Sequence, residues 1–335
     1  MVILAVSFKS IIFVLGALGV LQRQVVDTRY LSLASSSRAN LVTQLRAYLL
    51  FCHYFLLVSF PVVEDNLMLF IQFLGNNLKS PDSVKNYVYG IQTVSTLKGW
   101  SFPDLSSKFF KLQFKGLSKL MKHTPKRALP VSPPILQKMA RFVDFKDPLE
   151  VSLWGVTVLG FMLFARLSNL LPKGSQRHHL KNQLSRNHVR VASDCVIVTI
   201  SWTKTLQDGS RVLNIPLKTI PGSILCPKGC LLKICQISKG SGHDHLFAYA
   251  TESGLQIPSR YQFTQFLRSK LKKCGFQSKL FSGHSLRRGG ATWAFRKGVS
   301  TELIKSHGDW ASDAYFAYLE FSLWDKLSTT TKMVS

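Results

Sequence analysis

Four short stretches of the 335-residue chain hold the side chains best suited to chemistry on an anionic group: ARLSNLLP at 165–172, WTKT at 202–205, GHSLRRGG at 283–290 and GDWASDAYFAY at 308–318. A guanidinium is a planar fork that grips two oxyanion oxygens, which an ammonium does poorly. Imidazole moves protons near neutral pH. A phenol, with a pKa of about 10, becomes a nucleophile only beside positive charge and a proton acceptor. Each stretch also has a plainer reading. Arg166 could be an ordinary helix-end arginine, but it follows a very apolar run at 149–165, where an unpaired charge would be costly, so an anion partner is expected. Lys204 taken alone is a surface lysine. His284 and Arg287 are three apart and share a helical face; His284 could merely cap or pack, and Arg288 competes with Arg287 for the inward position, with Arg287 preferred. Tyr315 and Tyr318 compete in the same way on one short helix.

The elements that must position these residues follow from hydrophobic spacing. Helices are expected over 41–57, 66–78 and 83–98, the last opened by the start signal SPDS at 80–83. A fourth helical segment repeats lysine every three or four residues: Lys108, Lys111, Lys115, Lys119, Lys122 and Lys126, followed by Arg127. The ammonium groups share one stripe, and Phe110, Phe114, Leu117 and Met121 form another that packs inward. No acidic residue stands at i+4 to neutralise the lysines, so the stripe is read as a phosphate-binding face. The proline-rich run TPKRALPVSPP at 124–134 is an interdomain linker. Beyond it come helices at 135–145 and 149–165, a β-element with strands at 189–191, 196–202 and 212–217 turning at Asp208-Gly209, and helices at 259–273, 285–297, 301–307 and 312–319. On the first of these last helices, Arg268, Lys272 and Lys273 either add phosphate contacts or form a solvated face.

Composition bounds the function. With 43 Lys and Arg against 17 Asp and Glu, the net charge is +26, and 46% of residues are hydrophobic. That apolar fraction excludes a disordered basic tail, and the charge calls for a polyanion, nucleic acid or an anionic membrane. Six cysteines without close, even spacing argue for a reducing compartment. Cys226, Cys230, Cys235, His243 and His245 invite a zinc reading, but no C-x₂-C pair is present and apolar core cysteines are expected instead; no metal site is assigned. The apolar stretch at 11–21 is too short to span a bilayer, and no cleavage site follows it. Secretion and membrane insertion are therefore not expected.

In this order, the four stretches resemble the tyrosine recombinase (phage integrase) family over about residues 39–325. HSLRRGGATWAF and the W-A-S-D-A-Y-x-x-Y pattern look closest to the recombinases of DIRS-like and Ngaro-like retrotransposons and Crypton transposons. The resemblance implies an α-rich two-domain protein. Residues 1–36 would be a poorly ordered apolar leader, 37–127 a helical SAM-like core-binding domain, and 128–335 a mixed α/β catalytic domain with the DNA breaking-rejoining enzyme fold. The two domains would close as a C-shaped clamp on double-stranded DNA. The same resemblance makes Tyr318 the nucleophile, with Tyr315 left to packing. Arg166 and Arg287 become the clamp on the scissile phosphate, Lys204 the donor to the departing 5′ oxygen, His284 a general acid/base, and Trp310 a support for the phosphate through packing and its indole N–H. The product would be a 3′-phosphotyrosyl link that needs no ATP, metal or other cofactor. Consistent with that, the chain has no Gly-rich phosphate loop and no clustered carboxylates for Mg²⁺.

Implied partners are DNA and further copies of the chain, as a homotetramer on two duplexes, with the apolar end at 321–327 docking on a neighbour. No small-molecule substrate is implied. The implied compartment is the nucleus, reached from the cytoplasm. Two departures stand out: Asn169 occupies a position where many relatives carry an acid that orients the first arginine, and Asp309 places an acid where a basic residue is common. Asp309 beside a phosphate would repel it, with His307 in partial compensation. Two alternatives therefore stay open, a catalytically inactive DNA-binding relative and a type IB topoisomerase.

Overall fold

Apolar side chains at helical spacing build the first of two units, Met1–Pro125; the second is Lys126–Ser335. The computed structural model describes residues 8–172, 183–203, 211–310, 312–321 and 323–334. In the first unit, α1 (Phe8–Leu31) precedes α2 (Ser35–Tyr54), α3 (Glu64–Asn77), α4 (Pro81–Lys98) and α5 (Lys108–Leu120), and these last four surround one core. On α2 the buried residues are Gln44, Tyr48, Phe51 and Cys52, a stripe at i, i+4, i+7 and i+8. Tyr48 meets Phe70 of α3 edge to face at 5.1 Å, and each such buried ring contributes about 1.5–3 kcal/mol. The expected start signal works as a cap: the Ser83 amide donates to Ser80 Oγ at 3.2 Å, with Pro81 in the first turn.

On α5, Phe110 and Leu117 point into the core and Gln113 Nε2 donates to the Met68 carbonyl at 2.8 Å. Lys108, Lys111, Lys115 and Lys119 are left exposed on the opposite side. The expected stripe is shorter than the lysine repeat, because the helix ends at Leu120 and Lys122 takes φ 43°. Thr124 precedes Pro125, which disfavours helical backbone there, so Lys122 and Lys126 lie off the helix. Residues 8–31 of the segment expected to be a poorly ordered leader are helical, and among the described residues no helix is long and apolar enough to cross a membrane.

The second unit is organised around α7 (Pro148–Met162), preceded by α6 (Pro133–Ala140) and followed by α8 (Leu167–Leu170). Every residue from Val151 to Phe161 is buried, so α7 has no solvent face, and its two polar members, Ser152 and Thr157, donate to the Phe247 and Leu153 carbonyls. Asp147 caps it by accepting the Leu149 amide at 2.9 Å. Beside it lies an antiparallel sheet in the order β1 (Val189–Val191), β2 (Cys195–Ile200), β3 (Leu213–Lys218), in register Val198↔Ile215 and Ile200↔Leu213. Val196, Val198 and Ile200 are the buried face of β2, at the expected period of two. The turn at Asp208-Gly209 lies outside the described residues.

Then follow α9 (Pro227–Ile237), the hairpin of β4 (Tyr249–Thr251) and β5 (Gly254–Gln256), α10 (Arg260–Lys273), α11 (His284–Arg296), α12 (Thr301–His307), a 3-10 helix (Asp313–Tyr318) and α13 (Leu323–Val334). Spacing alone does not announce α9, the β4–β5 hairpin or α13. Cys226 is used as a cap, its sulfur accepting the Gly229 amide at 3.4 Å, while Cys230 is buried and its thiol is pushed up to about 12 by burial. Cys235 is exposed. The α11 helix approaches its neighbours at a glycine pair: a Cβ on Gly289 would run into the Val131 carbonyl, and one on Gly290 into the Phe161 carbonyl.

Candidate active site

The α7 chain turns sharply after Met162, with Phe164 at φ 46°, and this turn presents the Phe164 carbonyl and then Arg166 toward α11. Arg287, one turn into α11, is 2% exposed. It donates through one terminal nitrogen to the Phe164 carbonyl and through the other to the Gly308 carbonyl at 2.8 Å. These two bonds tie the ends of α7 and α12 to one guanidinium. The third donor, Nε, is buried without a hydrogen-bond partner.

The indole of Trp310 forms the floor, 3.7 Å from the Arg287 Cζ, and its own Nε1 is likewise buried and unpartnered. The segment expected to be an α-helix at 312–319 is instead a 3-10 helix, whose period of three eclipses residues i and i+3. Both tyrosines therefore face Trp310, with ring centroids at 6.4 Å for Tyr315 and 5.4 Å for Tyr318. They differ in access. Tyr315 is buried and stacked on Phe316, whereas Tyr318 is half-buried with its ring 5.1 Å from the Arg287 Cζ.

Cations crowd this point. Burial pushes Arg287 down to about 9, the nearby Arg166 guanidinium adds to that, and Tyr318 and Asp309 act in the opposite direction. His284, at the start of α11, is also held below its ordinary value, first by burial and then by Arg287 and Arg166. A neutral imidazole is thus favoured there. Tyr318 and His284 share the wall of a hollow of about 500 Å³ with Lys126, Arg127, Arg268 and Lys279. A larger cavity of about 650 Å³, lined mainly by apolar side chains of β3, α11 and α12, includes none of Arg166, His284, Arg287, Trp310 and Tyr318.

Arg166, His284, Arg287, Trp310 and Tyr318 are thus brought together. Lys204 lies outside the described residues. The lysines of α5 belong to the other unit, while Lys126 and Arg127 belong to this one, where Arg127 donates to the Ala317 carbonyl at 3.3 Å. Asp309 is not left facing the cations unpaired: it accepts from Thr203 Oγ1 and from Arg211, each at 2.6 Å. His307 does not supply the expected compensation, since it is bonded to the Met162 carbonyl at 2.7 Å and its ring is tilted against Phe164 at 4.7 Å. Asn169 amide donates to the Arg166 carbonyl at 2.8 Å, and its side-chain oxygen accepts from Ser168.

Sequence reasoning treated Arg287 and Arg288 as rivals, yet both are buried. Arg288 donates to the carbonyls of Ala128 and Tyr318 and pairs with Glu320 at 3.1 Å, so it holds the backbone of Tyr318 while Arg287 faces its ring. The RR pair was a visible signal; the Asp309–Thr203–Arg211 set, spread over a hundred residues, had none.

No family model and no curated protein sequence matches the chain. Among solved structures, the XerH site-specific recombinase bound to difH substrate in a pre-cleavage complex is similar over 82% of this chain and 72% of that one, at a TM-score of 0.51 and 14% identity. The post-cleavage complex of XerH with palindromic difH substrate gives 82%, 71%, 0.55 and 13% for the same quantities. The Tn1549 transposon integrase in complex with a circular intermediate DNA covers 80% of this chain and 84% of its own, at a TM-score of 0.50 and 12% identity. At such identities the likeness is one of fold, and it spans both units: this chain has the helix-rich, two-domain fold of the tyrosine recombinases.

Proposed function

We propose that the protein is a site-specific DNA recombinase or integrase that cuts one strand through a 3′-phosphotyrosyl intermediate and rejoins it to another. The observation that carries this reading is the Arg287–Trp310–Tyr318 cluster, in which two buried donors, Arg287 Nε and Trp310 Nε1, have no partner beside a half-exposed phenol. A buried donor without an acceptor is costly, and a phosphate oxygen satisfies it. In the proposed reaction the Tyr318 oxygen attacks phosphorus and its proton passes to neutral His284. The P–O5′ bond breaks, and the departing 5′ oxygen takes a proton from Lys204. Arg166 and Arg287 hold the non-bridging oxygens as charge builds on them. The new phosphotyrosyl bond is again an ester, so a 5′ hydroxyl can reverse the step without an external energy source.

The fold likeness to recombinases bound to DNA supports duplex DNA as the partner, and the exposed lysines of α5 supply a sequence-independent phosphate face. A homotetramer on two duplexes, an origin in a DIRS-like or Crypton-like mobile element, and action in the nucleus belong to the same proposal. A nicked suicide duplex, which loses the 5′ hydroxyl fragment after cleavage, tests it. A covalent protein–DNA adduct is the expected result. Salt-dependent binding without an adduct would instead identify a non-cutting DNA-binding relative, and relaxation of supercoils by the monomer a topoisomerase.

A further inference from the structure

Besides His284 and Arg287, α11 carries a row of polar side chains four residues apart, Arg288, Thr292 and Arg296, which share one face of the helix. That face grips the chain just past the tyrosine pair. The Tyr318 carbonyl accepts from Arg288 Nε at 3.4 Å and from the Thr292 hydroxyl at 3.3 Å. The same hydroxyl oxygen accepts the Glu320 amide at 3.1 Å, and the Glu320 carbonyl accepts from Arg296 at 3.3 Å. Between these bonds Leu319, at φ −71° and ψ 143°, takes the chain from 3-10 to extended backbone, and its side chain is buried in one cluster with Ala291, Ile304 and Tyr315. Thr292 is 3% exposed, so its hydroxyl has to be satisfied from within, and it is satisfied on both sides of Leu319. One helix thus holds the Arg287 guanidinium and the backbone of Tyr318 together.

We propose that Thr292 is a positioning residue: its hydroxyl, with Arg288 beside it, fixes the backbone of Tyr318 to the helix that carries Arg287 and so aims the free phenol at phosphorus. This rests on the recombinase reading above. The demand for aim falls on one direction of the reaction. Before cleavage only its own chain places the phenol. After cleavage the phosphotyrosyl bond holds the Tyr318 oxygen at phosphorus. In the reverse step a 5′ hydroxyl attacks phosphorus and loses its proton, the bond to Tyr318 breaks, and the tyrosine leaves as the protonated phenol. That step starts from a tyrosine already in place, so it does not call on Thr292.

Two single-turnover measurements separate this role from a general structural one: adduct formation on a nicked suicide duplex at saturating concentration, and resealing of the purified adduct by an added strand with a 5′ hydroxyl. Thr292→Val keeps the branched shape and removes the hydroxyl. It should slow adduct formation by about 10- to 100-fold, the usual cost of a small misplacement of a reacting group, and leave resealing within about threefold of the parent. Thr292→Ser keeps the hydroxyl and should restore adduct formation to within about threefold. Equal slowing of both steps would overturn the assignment, because it would place the damage in the phosphate cluster or in folding. An unslowed Thr292→Val would overturn it too, as would a Thr292→Ser protein as slow as Thr292→Val, which would trace the defect to packing. Should Thr292→Val fail to fold, Glu320→Pro decides by the same comparison: it withdraws the amide from Thr292, and Leu319 already has the extended backbone that a residue before proline takes. A parent protein that forms no adduct would overturn the recombinase reading itself, an outcome distinct from equal defects in the variants of an active parent.

Discussion

Replacing Arg287 by lysine keeps the charge and removes the fork, so it isolates what the planar guanidinium does. Electrostatic relations with Arg166, Asp309 and Tyr318 are retained. The two backbone bonds are not: the guanidinium serves them from two separate terminal nitrogens, whereas lysine is shorter and carries all its donors on one atom, so at least one of the Phe164 and Gly308 carbonyls loses its well-aimed charged donor. That loss costs about 1.5–3 kcal/mol, and giving up the stack on Trp310 costs roughly another 0.5–1. In the free protein the variant should therefore melt lower by about 2–4 kcal/mol, or roughly 4–16 °C for a unit of this size. Cleavage should suffer as well, because lysine presents no counterpart to Nε; removal of one such donor typically costs about 100- to 1000-fold. Thermal melting without DNA and single-turnover adduct formation measure the two effects. A melting temperature within about a degree of the parent, or a rate within about threefold, would refute the reading that the fork ties α7 to α12 and grips the phosphate.

Other expectations follow from the same geometry. The lysines of α5 are exposed and, on the proposed function, meet phosphates, so replacing Lys108, Lys111, Lys115 and Lys119 together by alanine should flatten the plot of log affinity against log salt by up to about 0.9 per lysine, measured by fluorescence anisotropy on unrelated duplexes; an unchanged slope would remove α5 from the DNA face. His284 should titrate below the ordinary histidine value in an NMR pH series, and Arg166→Gln should move it upward by removing one nearby cation. Because His284 and His307 are both depressed in the folded state, the unfolded chain binds more protons between their folded values and about 6.5. Stability should hold above that value and be lost as pH falls through it, which denaturant titration at several pH values would reveal. Lys270→Met should destabilise the second unit by about 3–5 kcal/mol, since it strands Glu150 and the Phe142 carbonyl from a buried partner that binds them at 2.5 and 2.8 Å.

How far the residues foretold the structure depends on whether a feature is local. Helices α2 to α5 of the first unit, the cap at Ser80, the apolar α7 and the pairing of β2 with β3 all follow from periodicity and turn chemistry carried within a few residues, whereas α1 was not foreseen. Features that depend on distant partners were hidden. The segment holding the two tyrosines has helical spacing, but its six residues are pinned at Tyr318 by Arg288 and Thr292, and a 3-10 helix results. The lysine repeat continues beyond its helix because charge spacing persists where Pro125 ends the backbone pattern. Asp309 looked like an obstacle to phosphate binding, since nothing in the neighbouring residues reveals Thr203 and Arg211. Conversely, the arginine motifs were readable because a buried guanidinium needs many partners, and the GHSLRRGG run provides the close-approach glycines that let α11 reach them.

The most direct measurement is to trap the covalent complex on a suicide duplex, digest protein and DNA, and locate the residual nucleotide by mass spectrometry. A nucleotide on the peptide containing both tyrosines, fragmented to Tyr318, and lost in Tyr318→Phe while Tyr315→Phe retains it, is the predicted result. A nucleotide on Tyr315 or on any residue outside the Arg287–Trp310 cluster would contradict it.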